Sequence, residues 1–114
     1  MKAKTIYIAG PISDGERLPR SLWKTNIVRA CKLGAKVIEL GHNPIIPHLY
    51  YFMEELSHTH FDYEDWLRVD FGFIESSDAV LRMDGASKGA DREVEYAKLI
   101  GRQVFRGLDE IPRV

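Results

Sequence analysis

The side chain best suited to chemistry is Glu93, which follows the small-residue stretch Ser87-Lys88-Gly89-Ala90-Asp91-Arg92 near the start of the last helical pattern. A carboxylate serves as acid, base or nucleophile, and a hydroxyl with small residues at a helix start leaves backbone amides free to hold an anion. A helix expected from about Asp91 to Ile100 puts Glu93 in its first turn. The plain alternative there is a charge that complements the helix dipole, worth ~0.3–1 kcal/mol. Glu93 and Glu95 stand about 200° apart around the helix, so they do not form a paired site. Ala90, Val94, Ala97, Leu99 and Ile100 mark the packed side, and Glu93, four residues before Ala97, borders it. Of the two glutamates, Glu93 is the one expected to face inward.

Asp70 lies within a second helical pattern. It either reaches the same crevice as a second carboxylate or is an exposed or capping residue. The loop Gly10-Pro11-Ile12-Ser13-Asp14-Gly15 offers amides, a hydroxyl and little bulk, which suits a phosphate or sugar and equally suits a plain turn. It lacks the glycine spacing of the dinucleotide and P-loop fingerprints. His42, His48, His58 and His60 lack the spacing of a helical metal pair and have no cysteine cluster beside them. Their aromatic neighbours point to a pocket wall or a subunit contact, and no metal or other cofactor is expected. Tyr50, Tyr51, Phe52 and Phe61 serve as core, interface or a stacking surface for a base.

Positioning these groups falls to a chain of 114 residues, enough for one domain over 1–114 but not for two cores. With 45% hydrophobic and 29% charged residues it has the composition of a folded soluble protein. A net charge of −1 argues against a nucleic-acid polymer as partner, since no basic surplus is available to displace counterions. The single cysteine, Cys31, sits in an apolar helical pattern, reads as core filler and permits no disulfide within the chain. No signal peptide or apolar run of about 20 residues is present, so the expected location is the cytoplasm, away from membranes.

Thr5–Ala9 reads as a buried strand stopped by Gly10-Pro11, and Ser21–Leu33 as a helix ended by Gly34. The second strand is either Lys36–Leu40 or the run Ile45-Ile46-Pro47. Residues 50–60 read as an irregular, partly helical connection. Tyr63–Ser76 is the second helix, with Asp62, Glu64 and Asp65 at its positive end. Asp78–Met83 and Gln103–Phe105 are strands, with the Glu93 helix between them, ended by Gly101. Strands alternating with crossovers imply an α/β domain of Rossmann or flavodoxin-like type, a parallel sheet flanked by helices. Its ligand crevice lies beyond the C-terminal strand ends, at the loops Gly10–Arg20, Gly41–Leu49 and Asp84–Arg92.

Three segments together carry a family likeness: Tyr7-Ile8-Ala9-Gly10-Pro11-Ile12; Asp70 ahead of Ser77-Asp78-Ala79-Val80-Leu81; and Ser87-Lys88-Gly89-Ala90-Asp91-Arg92-Glu93-Val94-Glu95-Tyr96-Ala97 through Val104. In these the chain resembles the nucleoside 2-deoxyribosyltransferase-like family, including its nucleotide N-glycosidase branch and small bacterial and phage relatives. The likeness spans most of the chain and is weakest from His42 to His60. It implies that Glu93 is the nucleophile that attacks the anomeric carbon of a (deoxy)ribosyl group, giving a covalent glycosyl-enzyme. It further implies that Asp70 orients Glu93 or handles a proton, and that Tyr7 with Gly10, Pro11, Ile12 and Ser13 lines the sugar. Transferases of the family that act on free nucleosides tend to carry aspartate six residues before the nucleophile, where this chain has Ser87. Ser87 with Gly89 and Ala90 therefore implies a 5′-monophosphate, because serine and helix-start amides accept a phosphate that an aspartate repels. Glu95 departs from the glycine often found at its position. The likeness also implies a homo-oligomer, with Tyr50–Phe61 as the place for a subunit contact.

Overall fold

The computed structural model describes residues 2–13 and 17–114; Asp14 and Gly15 of the first loop lie outside them. The elements are β1 (Thr5–Ala9), α1 (Arg20–Glu39), β2 (Asn43–Ile45), α2 (Tyr50–Ser57), α3 (Tyr63–Glu75), β3 (Ala79–Arg82), α4 (Lys88–Leu99) and β4 (Gln103–Phe105). The four strands are all parallel, in the order β2-β1-β3-β4, with helices on both faces: the Rossmann or flavodoxin-like class.

Alternation along β1 sorts its side chains between two cores. Ile6 and Ile8 pack with Ala30 and Val37 of α1, whereas Tyr7 and Ala9 face Ile74 of α3 and Ala90, Val94 and Ala97 of α4. β1 sits between β2 and β3 and is buried from Ile6 to Ala9. Tyr7 is thus a polar residue on the central strand, placed by strand period on the same side as Glu93.

The first helix does not end at Gly34. Trp23, Ile27, Ala30, Gly34 and Val37 continue one buried stripe to Glu39, so Lys36–Leu40 is helical and the second strand is the short edge strand Asn43–Ile45. Val37 and Ile38 imitate a β-rich run, but Ile38 is exposed, as the outer face of a helix requires. Gly34 is a packing residue: a Cβ there would stand 2.4 Å from Ile46 Cδ1, so its absence lets α1 close on the chain after β2. The true stop is Gly41, at φ 94°, where its N–H bonds Ile38 O and the His42 N–H bonds Val37 O. Cys31, on α1, is half-buried and free. Pro44 is tolerated because β2 is an edge strand.

α3 begins with a reciprocal cap in which Asp62 accepts from the Asp65 N–H and Asp65 accepts from the Asp62 N–H. Among the described residues no helix is long and apolar enough to cross a membrane.

Candidate functional site

α4 starts at Lys88, three residues earlier than its apolar pattern suggests, with Ser87 as N-cap accepting from the Ala90 N–H. Glu93 therefore lies in the second turn, beyond the first-turn amides, so complementing the helix dipole does not account for it. It is 8% exposed, on the α4 face that carries Val94 and Ala97, while Glu95 is exposed. The Tyr7 hydroxyl donates to Glu93 Oε2 at 2.7 Å across the gap between β1 and α4. Asp70 comes in from α3 to the same cavity and stands near enough to Glu93 and Tyr7 for each to shift the others' titration.

Three elements thus converge on one buried polar cluster. Burial holds the Glu93 carboxyl well above the usual range, the nearby Asp70 charge adds to this, and the Tyr7 hydroxyl and the more distant Arg82 oppose it. Burial also pushes Asp70 up to about 6, against hydrogen bonds from Glu93 and Tyr7. Tyr7 is driven well above an ordinary phenol, first by burial and then by the two carboxylates. It stays a hydroxyl donor at every ordinary pH. Two carboxyls this close do not both ionise readily, so the pair retains a proton near neutrality.

The cluster forms the floor of a cavity of about 330 Å³ at the C-terminal end of the sheet. Gly10, Ile12 and Ser13 supply one edge. Asn26 of α1 positions that loop by donating to the Ile12 carbonyl, and the Trp23 indole N–H donates to the Leu18 carbonyl. Pro47 and His48 form a second edge after β2. His48 is buried with Nε2–H donating to the Pro11 carbonyl; burial and then Arg29 keep the ring neutral, down at about 4. Pro11 is therefore buried behind the cavity and acts through its carbonyl.

The remaining wall is aromatic: Trp23 of α1, Tyr50 and Tyr51 of α2, Tyr63 and Trp66 of α3, and Phe61 between those last two helices. Tyr50 packs on Phe73 at 5.5 Å and Phe61 meets Trp66 edge-on at 5.7 Å. Glu54 of α2 holds this wall together, its Oε2 accepting from the Phe61 N–H at 2.9 Å and the Trp66 indole N–H at 3.3 Å.

Of the residues singled out in the sequence, Tyr7, Asp70, Glu93, Gly10, Ile12 and Ser13 meet at the cavity, with Pro11 just behind. Ser87, Gly89 and Ala90 do not line it: Ala90 is buried in the α4 core, and Ser87 and Gly89 sit at the outer end of the helix. Trp23 and Trp66 were legible only as helix residues, and Glu54 only as part of the irregular connection over residues 50–60. Six aromatics among residues 50–66 are the signal that marks this stretch as a wall. His42 is structural, accepting from the Lys4 N–H and donating to the Pro112 carbonyl. Among the described residues no group of three or more His, Cys, Asp or Glu stands close enough to hold a metal.

The order of these parts, carboxyl floor and aromatic wall included, runs almost the length of the chain, as does one family model. That model, described as a domain of unknown function, DUF4406, matches residues 4–106. The chain belongs to the DUF4406 family. The match takes in every residue of the cluster and of the cavity wall. No curated protein matches this DUF4406 chain.

Proposed function

We propose that this DUF4406 domain is a retaining N-glycosidase or deoxyribosyltransferase that cleaves the N-glycosidic bond of a (deoxy)nucleoside or its 5′-monophosphate. The observation that carries this reading is the Tyr7–Glu93–Asp70 cluster: a buried carboxylate held by a phenol, with a second carboxyl beside it, at the floor of a cavity faced with aromatic rings.

The chemistry follows from the proton that the carboxyl pair retains. As positive charge develops at C1′ it favours an ionised Glu93, and the proton moves to Asp70. A Glu93 oxygen bonds C1′ while the C1′–N bond breaks, and the base leaves with the electron pair, protonated by Asp70. Asp70, now a carboxylate, takes a proton from water or from an incoming base, which attacks C1′ and releases Glu93. Tyr7 holds the attacking carboxylate in place through its 2.7 Å bond. No metal or cofactor has a step in this scheme.

The monophosphate form of the proposal rests on Ser87 and the first-turn amides of α4, outside the cavity floor; cleavage itself does not depend on them. Incubation with deoxynucleosides and their 5′-monophosphates is expected to release free base, read by chromatography. Glu93→Ala should abolish release, by at least ~10³-fold, with an unchanged circular dichroism spectrum. Ligand binding without base release by the wild-type protein would instead mark a non-catalytic nucleotide-binding module.

A further inference from the structure

The inner surface of the cavity carries an unusual balance of charge. Its described lining holds three carboxyl groups, Glu54 and the proton-sharing pair Asp70 and Glu93, and seven tyrosine, tryptophan or phenylalanine rings, Tyr7 among them, but no lysine or arginine. Of its two histidines, His48 is buried and kept neutral, down at about 4, while the His60 side chain is 73% exposed and stands 3.5 Å from Glu54 Oε1. Aromatic faces are the negative part of the ring quadrupole, so walls of rings backed by carboxylates favour a flat positive guest over a neutral or negative one.

The same rings already attract cations. The Arg20 guanidinium lies 4.7 Å above Trp23 and 6.0 Å from Tyr51, and that of Arg92 lies 5.6 Å from Tyr63. Neither arginine lines the cavity. Glu54 lines the cavity among these rings and is fixed there by the Phe61 N–H and the Trp66 indole N–H.

We propose that the base end of this cavity takes a positively charged nitrogen heterocycle, so that the substrate is a ribosyl or deoxyribosyl compound whose leaving group is a pyridinium or an N-alkylated purine. This rests on the N-glycoside reading of the Glu93 site. With such a substrate Glu93 forms its bond to C1′, the C1′–N⁺ bond breaks, and the electron pair neutralises the departing ring, so no proton is needed from Asp70. Asp70 then loses its unused proton to solvent and, as a carboxylate, takes one from the water that attacks C1′ and frees Glu93, so that one proton is released for each neutral base formed. The cationic class also explains why the wall carries no donor cation for a base carbonyl.

Two experiments on the full chain test this separately from the cleavage reading. Calorimetric titration with 1-methylnicotinamide, a cation with no glycosidic bond, against neutral nicotinamide is expected to show roughly tenfold or tighter binding of the cation. Glu54→Gln, which keeps an acceptor for Phe61 and Trp66, should reduce that preference with its circular dichroism unchanged. Equal binding of the two rings overturns the proposal, whatever the enzyme cleaves. In the second experiment, base release is followed from nicotinamide riboside, 7-methylguanosine, guanosine and cytidine. Release from either cationic riboside, with Asp70→Asn slowing it at least roughly tenfold less than it slows the neutral ones, is the expected result. The two cationic substrates distinguish pyridinium from purine. Cleavage confined to the neutral nucleosides overturns the cationic class and leaves the N-glycoside reading standing; cation-selective binding without any release does the reverse.

Discussion

Glu93, Asp70 and Tyr7 divide one task among three chemically different groups. The phenol favours the ionised form of Glu93 while burial and Asp70 disfavour it. Tyr7→Phe removes the favourable partner, so the acid limb of the pH–rate profile is expected to move to higher pH and kcat to fall about 10- to 100-fold. An acid limb that stays in place would show that the phenol does not act on Glu93. Asp70 is protonated more easily in the folded chain, about 6 against 3.8. Its contribution to stability is accordingly full below pH 3.8 and lost as pH rises through about 6. Asp70→Asn should therefore be more stable than wild type at pH 8, by about 2 kcal/mol from urea unfolding, and the difference should close toward pH 4. A less stable variant at pH 8 contradicts the assignment of Asp70 as a buried acid held at a cost to the fold. Glu93 was legible in the sequence through the apolar spacing of α4, but its distance from the helix start was not, because Lys88 and Gly89 carry no apolar signal that extends the pattern back to Ser87.

At the scale of elements, the site depends on how closely the C-terminal ends of β1 and β3 approach. A Cβ on Gly10 would stand 2.7 Å from both Cβ and Cε of Met83, and the Met83 Cβ is fixed by the backbone of the chain leaving β3. Gly10→Ala should thus force the two ends apart, costing about 1–3 kcal/mol in thermal or chemical unfolding and slowing base release more than Ser13→Ala does. Unchanged stability would mean that Met83 yields without moving the strands. The strands β1, β3 and β4 and the helix α3 were legible because their apolar periods are clean. The break between α1 and β2 was not: Gly34 resembles a stop and Val37-Ile38 a strand, and only the contact with Ile46 reveals why a glycine belongs inside that helix. α2 was obscured for a related reason. Its aromatics face a cavity on one side and solvent on the other, so no single apolar stripe emerges.

For the whole molecule, the outer face of α2 and the turn before it leave Leu49, Phe52, Met53 and Leu56 exposed at helical spacing. This face suits the homo-oligomer proposed from the family likeness, on the other side of the helix from the residues that line the cavity. Sedimentation velocity is expected to show a species larger than the monomer, and Leu56→Glu a shift to monomer; a wild-type monomer at micromolar concentration contradicts it. The likeness itself was legible only as an order of motifs along the chain, since composition and charge fix no substrate. The cavity's chemistry needed the fold, because Trp23, Glu54, Trp66 and Glu93 come from four different helices. The account as a whole turns on Glu93 as a nucleophile. Rapid acid quenching during turnover, followed by peptide mass spectrometry, should find Glu93 carrying one (deoxy)ribosyl group, absent in Glu93→Gln; base release with Glu93 unlabelled throughout turnover would contradict it.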